Sequence, residues 1–289
     1  MTDFAKKAAD RLNSLPPIST TTLKLIDLLS NETYQTTELS ALIEADLSLA
    51  ARCLKTVNAP IFGIKRTISS VPHAVTLLGA RAVLDLALQL SVRGTYNQAL
   101  TGYASSADDL YRHSLYSAIA ARICAQRITP NTNPESAYAA ALFHDVGKLV
   151  LSSFLAEKET EDPENITHFL DYEQQHFGID HAQISAQIAQ KWHLPEDLVQ
   201  AISFHHQPSQ ALPAYRRTAL AVHLGDMFAM MAGFGTQRDN MQYQMDPMID
   251  EFVVRNRKWE LETLPQIMMD IHEEYQTVMA KFNQEEQAQ

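Results

Sequence analysis

His144 and Asp145 stand side by side in AALFHDVGKLVL, residues 140–151, surrounded by Ala, Leu, Phe and Val. An imidazole and a carboxylate among residues that favour a dry interior need a common partner, because an unpaired buried charge costs several kcal/mol. Other ionisable side chains recur at inward positions along the same half of the chain. His113 shares a helical face with Tyr116, Ala120 and Ile123, and His181 aligns with Ile184, Ile188 and Trp192. Asp226 falls on a stripe with Ala219, Val222, His223, Ala229 and Met230, and His205-His206 close the segment that begins at Pro195 and stops at Pro208. A lone inward histidine is ordinarily a neutral ring with two hydrogen bonds. Several of them together with two inward aspartates imply one shared solution, a metal held between helices by neutral imidazole nitrogens and carboxylate oxygens. Neighbouring residues point about 100° apart on an ideal helix. His144 and Asp145 therefore reach one ion best at a helix end, where the backbone turns at Gly147. The mixture of nitrogen and oxygen donors suits one or two ions of iron, manganese, zinc or nickel and does not choose among them.

The elements that must position these residues read as helices. In TTELSALIEADLSLAARCLKTVN, apolar residues from Leu39 to Val57 recur at three and four, which predicts one helix over residues 36–57 that stops at Asn58-Ala59-Pro60. Comparable spacing predicts helices over 21–30, 71–78, 81–91, 108–126, 136–143, 181–192, 195–206, 218–231 and 264–282. Glycine is scarce, at 9 residues, and strand-like alternation is hard to find, so the fold class is all-α. Three regions are expected: an N-terminal helical bundle over 1–103, a histidine-bearing region over 104–235, and a methionine-rich helical tail over 236–289. The methionines at 230, 231, 241, 245, 248, 268 and 269 read as fillers of irregular core gaps.

Composition narrows the function. The formal net charge of −11 argues against a general reader of nucleic-acid backbones. Cys53 and Cys124, the two cysteines, both sit in apolar helical patterns and read as reduced core thiols. The N-terminus MTDFAKKAADRLNSL is amphipathic without the apolar stretch of a signal peptide, and no uninterrupted apolar run reaches membrane-spanning length. A soluble, cytoplasmic protein without a membrane role is expected. His168, His176 and His193 fall near helix ends or polar segments and read as exposed or capping. His223 reads equally as a ligand-orienting or a packed ring, and the basic cluster Lys65-Arg66 with Arg81 as solvated surface. From the residues alone Lys148 is a solvated lysine just past a helix end.

The order His113, His144-Asp145, Asp226 resembles the H…HD…D pattern of the HD superfamily of metal-dependent phosphohydrolases. HDVGK resembles the form seen in HD-GYP phosphodiesterases, which implies that Lys148 approaches a substrate phosphate and that His181, His205 and His206 are further metal ligands. Gln207-Pro208 stands where those enzymes continue into their Gly-Tyr-Pro segment, so the elements that go with cyclic di-GMP hydrolysis are missing. Most of the chain is more similar to the HDOD family, through LPPISTTTLKLIDLLS, EADLSLAARCLKTVNAPIFG, ISSVPHAVTLLGARAVLDLAL, HSLYSAIAAR, ALFHDVGKLVL, EQQHFGIDHAQISAQIAQKWHLPEDLVQAISFHHQP and AVHLGD. That resemblance implies an N-terminal bundle packed on a modified HD domain, in a bacterial signalling or regulatory protein that acts through contacts with unidentified signalling proteins. Two alternatives stay open. One is a metal-dependent phosphohydrolase acting on a phosphomonoester or nucleotide, with Lys148 and Asp145 as catalytic residues. The other is a nucleotide or phosphate sensor without hydrolysis. The sequence also leaves a homodimer open.

Overall fold

The computed structural model of the chain describes residues 3–30, 34–64, 66–157, 168–236, 245–249 and 263–287. Among them the regular structure is helical, and Leu100 and Ser105 form an isolated antiparallel bridge. The chain divides into two compact units, residues 18–92 with 272–289 and residues 1–17 with 93–271. The sequence places its divisions at 103/104 and 235/236, where composition shifts.

The first unit is built from α2 (Thr20–Ser30), α3 (Thr36–Glu44), α4 (Leu47–Val57), α5 (Val71–Leu78) and most of α6 (Ala80–Tyr96). Leu25, Ile26, Leu39, Ile43, Leu49, Cys53, Val57 and Val75 form its interior. The single helix expected over 36–57 is two. The Asp46 side chain accepts a hydrogen bond from the Leu49 amide at 3.0 Å and caps α4, so the helix restarts there although the apolar period runs on. Asn58 then pins the following loop, its amide donating to Ile68 O and its carbonyl accepting from Ile68 N, each at 2.8 Å.

The second unit holds α1 (Asp3–Ser14), α7 (Asp109–Arg127), α8 (Pro134–Phe143), α9 (Lys148–Ala156), α10 (Phe169–Phe177), α11 (His181–Lys191), α12 (Glu196–Ser203), α13 (Arg216–Met231) and the start of α14 (Thr263–Gln287). Helices α1, α9 and α10 lie outside the segments that periodicity picks out. Helix α8 begins with Asn133 capping the amides of Glu135 and Ser136 and Pro134 at its first position. It is buried on every side from Ser136 to Phe143, as expected of a helix that is apolar all round. Residues 134–156 match a membrane span in length and apolarity, but 89% of the window is buried inside the fold, so it is core.

Helix α13 crosses α7 closely because small residues face each other. A Cβ on Gly225 would lie 2.5 Å from Ser117 O and 2.9 Å from the Ala121 Cβ, so only glycine permits this approach. Cys53 and Cys124 are buried free thiols, as expected. The methionines differ from expectation. Met230 and Met248 are buried, but Met231, Met245 and Met269 are 48%, 61% and 55% exposed, on the outer faces of their segments. Met241 and Lys65 lie outside the described residues.

Candidate metal centre

Each ionisable residue singled out in the second unit arrives at one place by a local device. Helix α7 carries His113 and α13 carries Asp226, and the Gly225 contact sets His113 Nε2 3.2 Å from Asp226 Oδ1. Helix α8 ends at Phe143, so His144 and Asp145 sit in the turn before α9, the helix-end placement expected from the sequence. Gly147 lets that turn approach the first turn of α11, since a Cβ there would lie 2.2 Å from His181 O. The Gly147 amide donates to Ser185 Oγ at 2.8 Å, and His181 Nε2 comes within 3.4 Å of Asp145 Oδ1. Helix α11 starts at His181 behind a capping box of Asp180 and Gln183. His205 and His206 lie just beyond α12, which ends at Ser203 rather than at the histidine pair. None of the clustered histidine and aspartate side chains is more than 5% exposed.

The imidazole tautomers follow from the partners of Nδ1. His113 donates to Phe234 O at 2.9 Å, His144 to Ala141 O at 2.6 Å and His205 to Ile202 O at 2.7 Å. A carbonyl oxygen only accepts, so Nδ1 carries the proton in each ring and a neutral ring presents a bare Nε2. The Nε2 atoms of the cluster converge. Nε2 of His113 and His144 are 3.2 Å apart, and Nε2 of His181 and His206 are 3.0 Å apart. His205 Nε2 has no hydrogen-bond partner among the described residues, and Asp145 Oδ1 lies 3.9 Å away from it. Two facing lone pairs repel unless a proton or a metal cation lies between them.

Charge points the same way. Asp145, Asp226 and Glu173 are buried carboxylates around the cluster, and Lys148 is a buried ammonium beside them. Burial alone would lower the pKa of His113, but the Asp145 and Asp226 carboxylates outweigh it and raise it to about 9. Burial alone would raise Asp145, yet His144, Lys148 and His113 hold it well below the usual carboxylate range. Burial likewise opposes ionisation of Asp226, and His113 and His144 overcome it. His205 is pushed down by burial and then by His144 and His181, and His206 by burial and then by His205 and His181. Imidazole nitrogens beside ionised carboxylates are the donor set of a transition-metal ion, which would displace the proton that His113 otherwise holds. The donors form three overlapping triads, each with its ligand atoms within 4.8 Å of one another: His113/His144/Asp226, His144/Asp145/His205 and His181/His205/His206. The orphaned Nε2 of His205 and the facing Nε2 atoms of His113 and His144 show that the residues fit such an ion.

Lys148 is not solvated. It opens α9 at 3% exposure, with Nζ 2.7 Å from Asp145 Oδ2, 3.3 Å from Thr236 Oγ1 and 5.5 Å from the centre of the Tyr103 ring. His223 acts on the site through the backbone: its Nδ1 donates to His205 O at 2.7 Å, and its Nε2 accepts from the Asp246 amide at 3.4 Å. His168 and His176 are half-buried and His193 is exposed, and His168 lines a cavity together with His206. Glu173 was missed from the sequence. It is fully buried, with Oε2 accepting from the His181 amide and His181 Nδ1, both at 2.8 Å, and Oε1 accepting from Tyr103 OH at 2.5 Å. Its signal was present, because Phe169, Tyr172 and Glu173 stand at helical spacing and all three are buried on α10.

A helical domain enclosing a histidine–aspartate cluster of this order defines an HD-related protein. The sequence profile of the HDOD domain matches residues 15–208, and the chain belongs to the HDOD domain family. A Treponema pallidum (strain Nichols) protein, "Uncharacterized protein", is 27% identical over 236 residues, 78% of this chain. The match covers 44% of the Treponema protein, so the chain spans less than half of that relative. Three solved structures share the fold. An HDOD domain protein of unknown function from Geobacter sulfurreducens matches with a TM-score of 0.62 at 22% identity, over 88% of this chain and 85% of its own. A Marinobacter aquaeolei VT8 protein named "Putative signal transduction protein" gives 0.70 at 20% identity, over 98% and 66%. A Shewanella amazonensis SB2B protein named "Putative phosphohydrolase" gives 0.63 at 21% identity, over 96% and 97%.

Proposed function

We propose that this chain is a bacterial cytoplasmic signalling protein that acts through protein contacts, with one or two transition-metal ions tying together the helices of its second unit. His113, His144, Asp145 and Asp226 would hold the first ion, and His181, His205 and His206 the second. When bound, the metal supplies a fixed positive charge to the clustered carboxylates and imidazole Nε2 atoms. The observation that carries the regulatory reading is the state of Lys148. Its ammonium is buried and engaged by Asp145 at 2.7 Å, so it serves the cluster rather than an incoming phosphate. Elemental analysis of tag-free protein purified without chelator tests the metal, with Asp145→Ala alongside. The wild type is expected to carry metal and the variant to lose it. Folded wild type that is metal-free and takes up no zinc, iron, manganese or nickel overturns the site.

The enzymatic alternative draws support from one feature. A cavity of about 260 Å³ reaches His206, the most exposed member of the cluster. Its lining includes the carboxylates of Asp171 and Asp246 and, among the described residues, no lysine or arginine. Such a lining gives a phosphate no cation, which weighs against both phosphohydrolysis and nucleotide sensing there. A screen of phosphomonoesters and cyclic nucleotides with Lys148→Ala as control decides. Lys148-dependent turnover favours the enzyme, and saturable binding without product favours the sensor.

A further inference from the structure

Glu173 is a buried carboxylate whose hydrogen bonds are all to groups that would satisfy a neutral amide equally well. Its partners are the Tyr103 hydroxyl, the His181 backbone amide and His181 Nδ1. Keeping a charge in a dry site against neutral donors is unfavourable unless the charge is answered nearby. The nearest route for an answer runs through the His181 ring, whose Nε2 lies 3.0 Å from His206 Nε2 and 3.4 Å from Asp145 Oδ1.

His181 is set apart from the other rings of the cluster. His113, His144 and His205 give their Nδ1 protons to uncharged backbone carbonyls, whereas His181 gives its own to a carboxylate. A carboxylate behind an imidazole fixes the tautomer, stops ring rotation and makes the far nitrogen a stronger electron donor. Tyr103 comes from the turn over residues 101–103 and Glu173 from α10, so both ends of the carboxylate are anchored. We propose that Glu173 is a positioning residue for the His181/His205/His206 position, orienting His181 so that its Nε2 faces an ion shared with the histidine pair. The inference rests on the metal reading above and adds that the two positions differ: one has a carboxylate-backed imidazole and the other does not.

Cobalt(II) titration of the full-length, tag-free chain, followed by d–d absorption, tests it. His181→Ala and His113→Ala assign the two binding steps. Glu173→Gln keeps the shape and hydrogen-bond capacity but removes the charge. The step lost in His181→Ala is expected to weaken about 10- to 100-fold in Glu173→Gln, with a shifted absorption envelope. The step lost in His113→Ala is expected to keep its affinity and spectrum. Wild-type affinity and spectrum at both steps in a folded Glu173→Gln overturns the inference and leaves the metal reading standing. No cobalt uptake by the wild type overturns both. Should Glu173→Gln fail to fold, nitrogen-15 imidazole spectra of the metal-loaded wild type decide. A His181 proton on Nδ1, further downfield than those of His113, His144 and His205, supports the assignment, and a proton on Nε2 or an unexceptional Nδ1 shift overturns it.

Discussion

Lys148 Nζ lies 2.7 Å from Asp145 Oδ2, three residues apart in sequence and both nearly sealed from solvent. A pair this buried is costly to break from one side, because the remaining charge loses its counter-ion. Lys148→Met is therefore expected to destabilise metal-free protein by about 3–5 kcal/mol. The loss should shrink in metal-loaded protein, where the ion takes over neutralisation of Asp145. Removing a like charge beside the ion should also tighten metal binding. Urea denaturation of both forms, with and without metal, measures the difference. An equal loss in both would show that Lys148 and the ion do not share Asp145.

Metal removal should lower stability by mass action. An ion present at about 100 times its dissociation constant stabilises by about 2.7 kcal/mol if the unfolded chain does not bind it. For a chain of this size that corresponds to a fall in thermal midpoint of about 4–5 °C after chelation. The midpoint should recover on adding back the ion found by elemental analysis. A midpoint that ignores both chelator and metal would contradict a structural role for the ion.

The fold class and the core of the cluster were legible because both rest on residue type and period. His113, His181 and Asp226 sit where helical spacing aims them inward, and HD marks itself by two polar residues inside an apolar run. Glu173 was passed over because it stands in the polar run EQQH, although Phe169 and Tyr172 at helical spacing place it on the buried face of α10. The break between α3 and α4 was hidden because the apolar period passes through Ala45-Asp46 unbroken, while a single side-chain cap decides the local structure. Lys148 could not be placed from sequence, since its setting depends on a tertiary partner, Thr236, 88 positions away. No local pattern encodes that distance.

Gly225 permits the α7–α13 approach that brings His113 to Asp226. Adding one methyl in Gly225→Ala sets a Cβ 2.5 Å from Ser117 O, a backbone atom on a packed helix that cannot simply move aside. The expected cost is about 1–3 kcal/mol of overpacking, offset in small part by alanine's better helix propensity. The helices should also part slightly, weakening the ion held between them. Thermal melts and metal content read the two effects separately. A variant as stable as wild type with full metal content would show that the contact relaxes freely.

Arg122 is fully buried, with its guanidinium 3.7 Å over the Tyr138 ring and Nη2 2.6 Å from Glu135 Oε2. Glu135 is itself in the first turn of α8, where its charge also favours the helix N-terminus. Glu135→Ala removes the counter-ion and leaves the guanidinium inside, at an expected cost of about 3–5 kcal/mol. Arg122→Met removes the charge that needs answering, keeps an unbranched chain against Tyr138, and releases the partly exposed Glu135 to solvent. It should therefore cost less than Glu135→Ala, although it deletes the more deeply buried partner. Denaturation of the two single variants and the double variant gives both the order and the coupling. If Arg122→Met proves the more damaging, packing of the guanidinium on Tyr138 outweighs its charge, and the ion pair is not what holds α7 to α8.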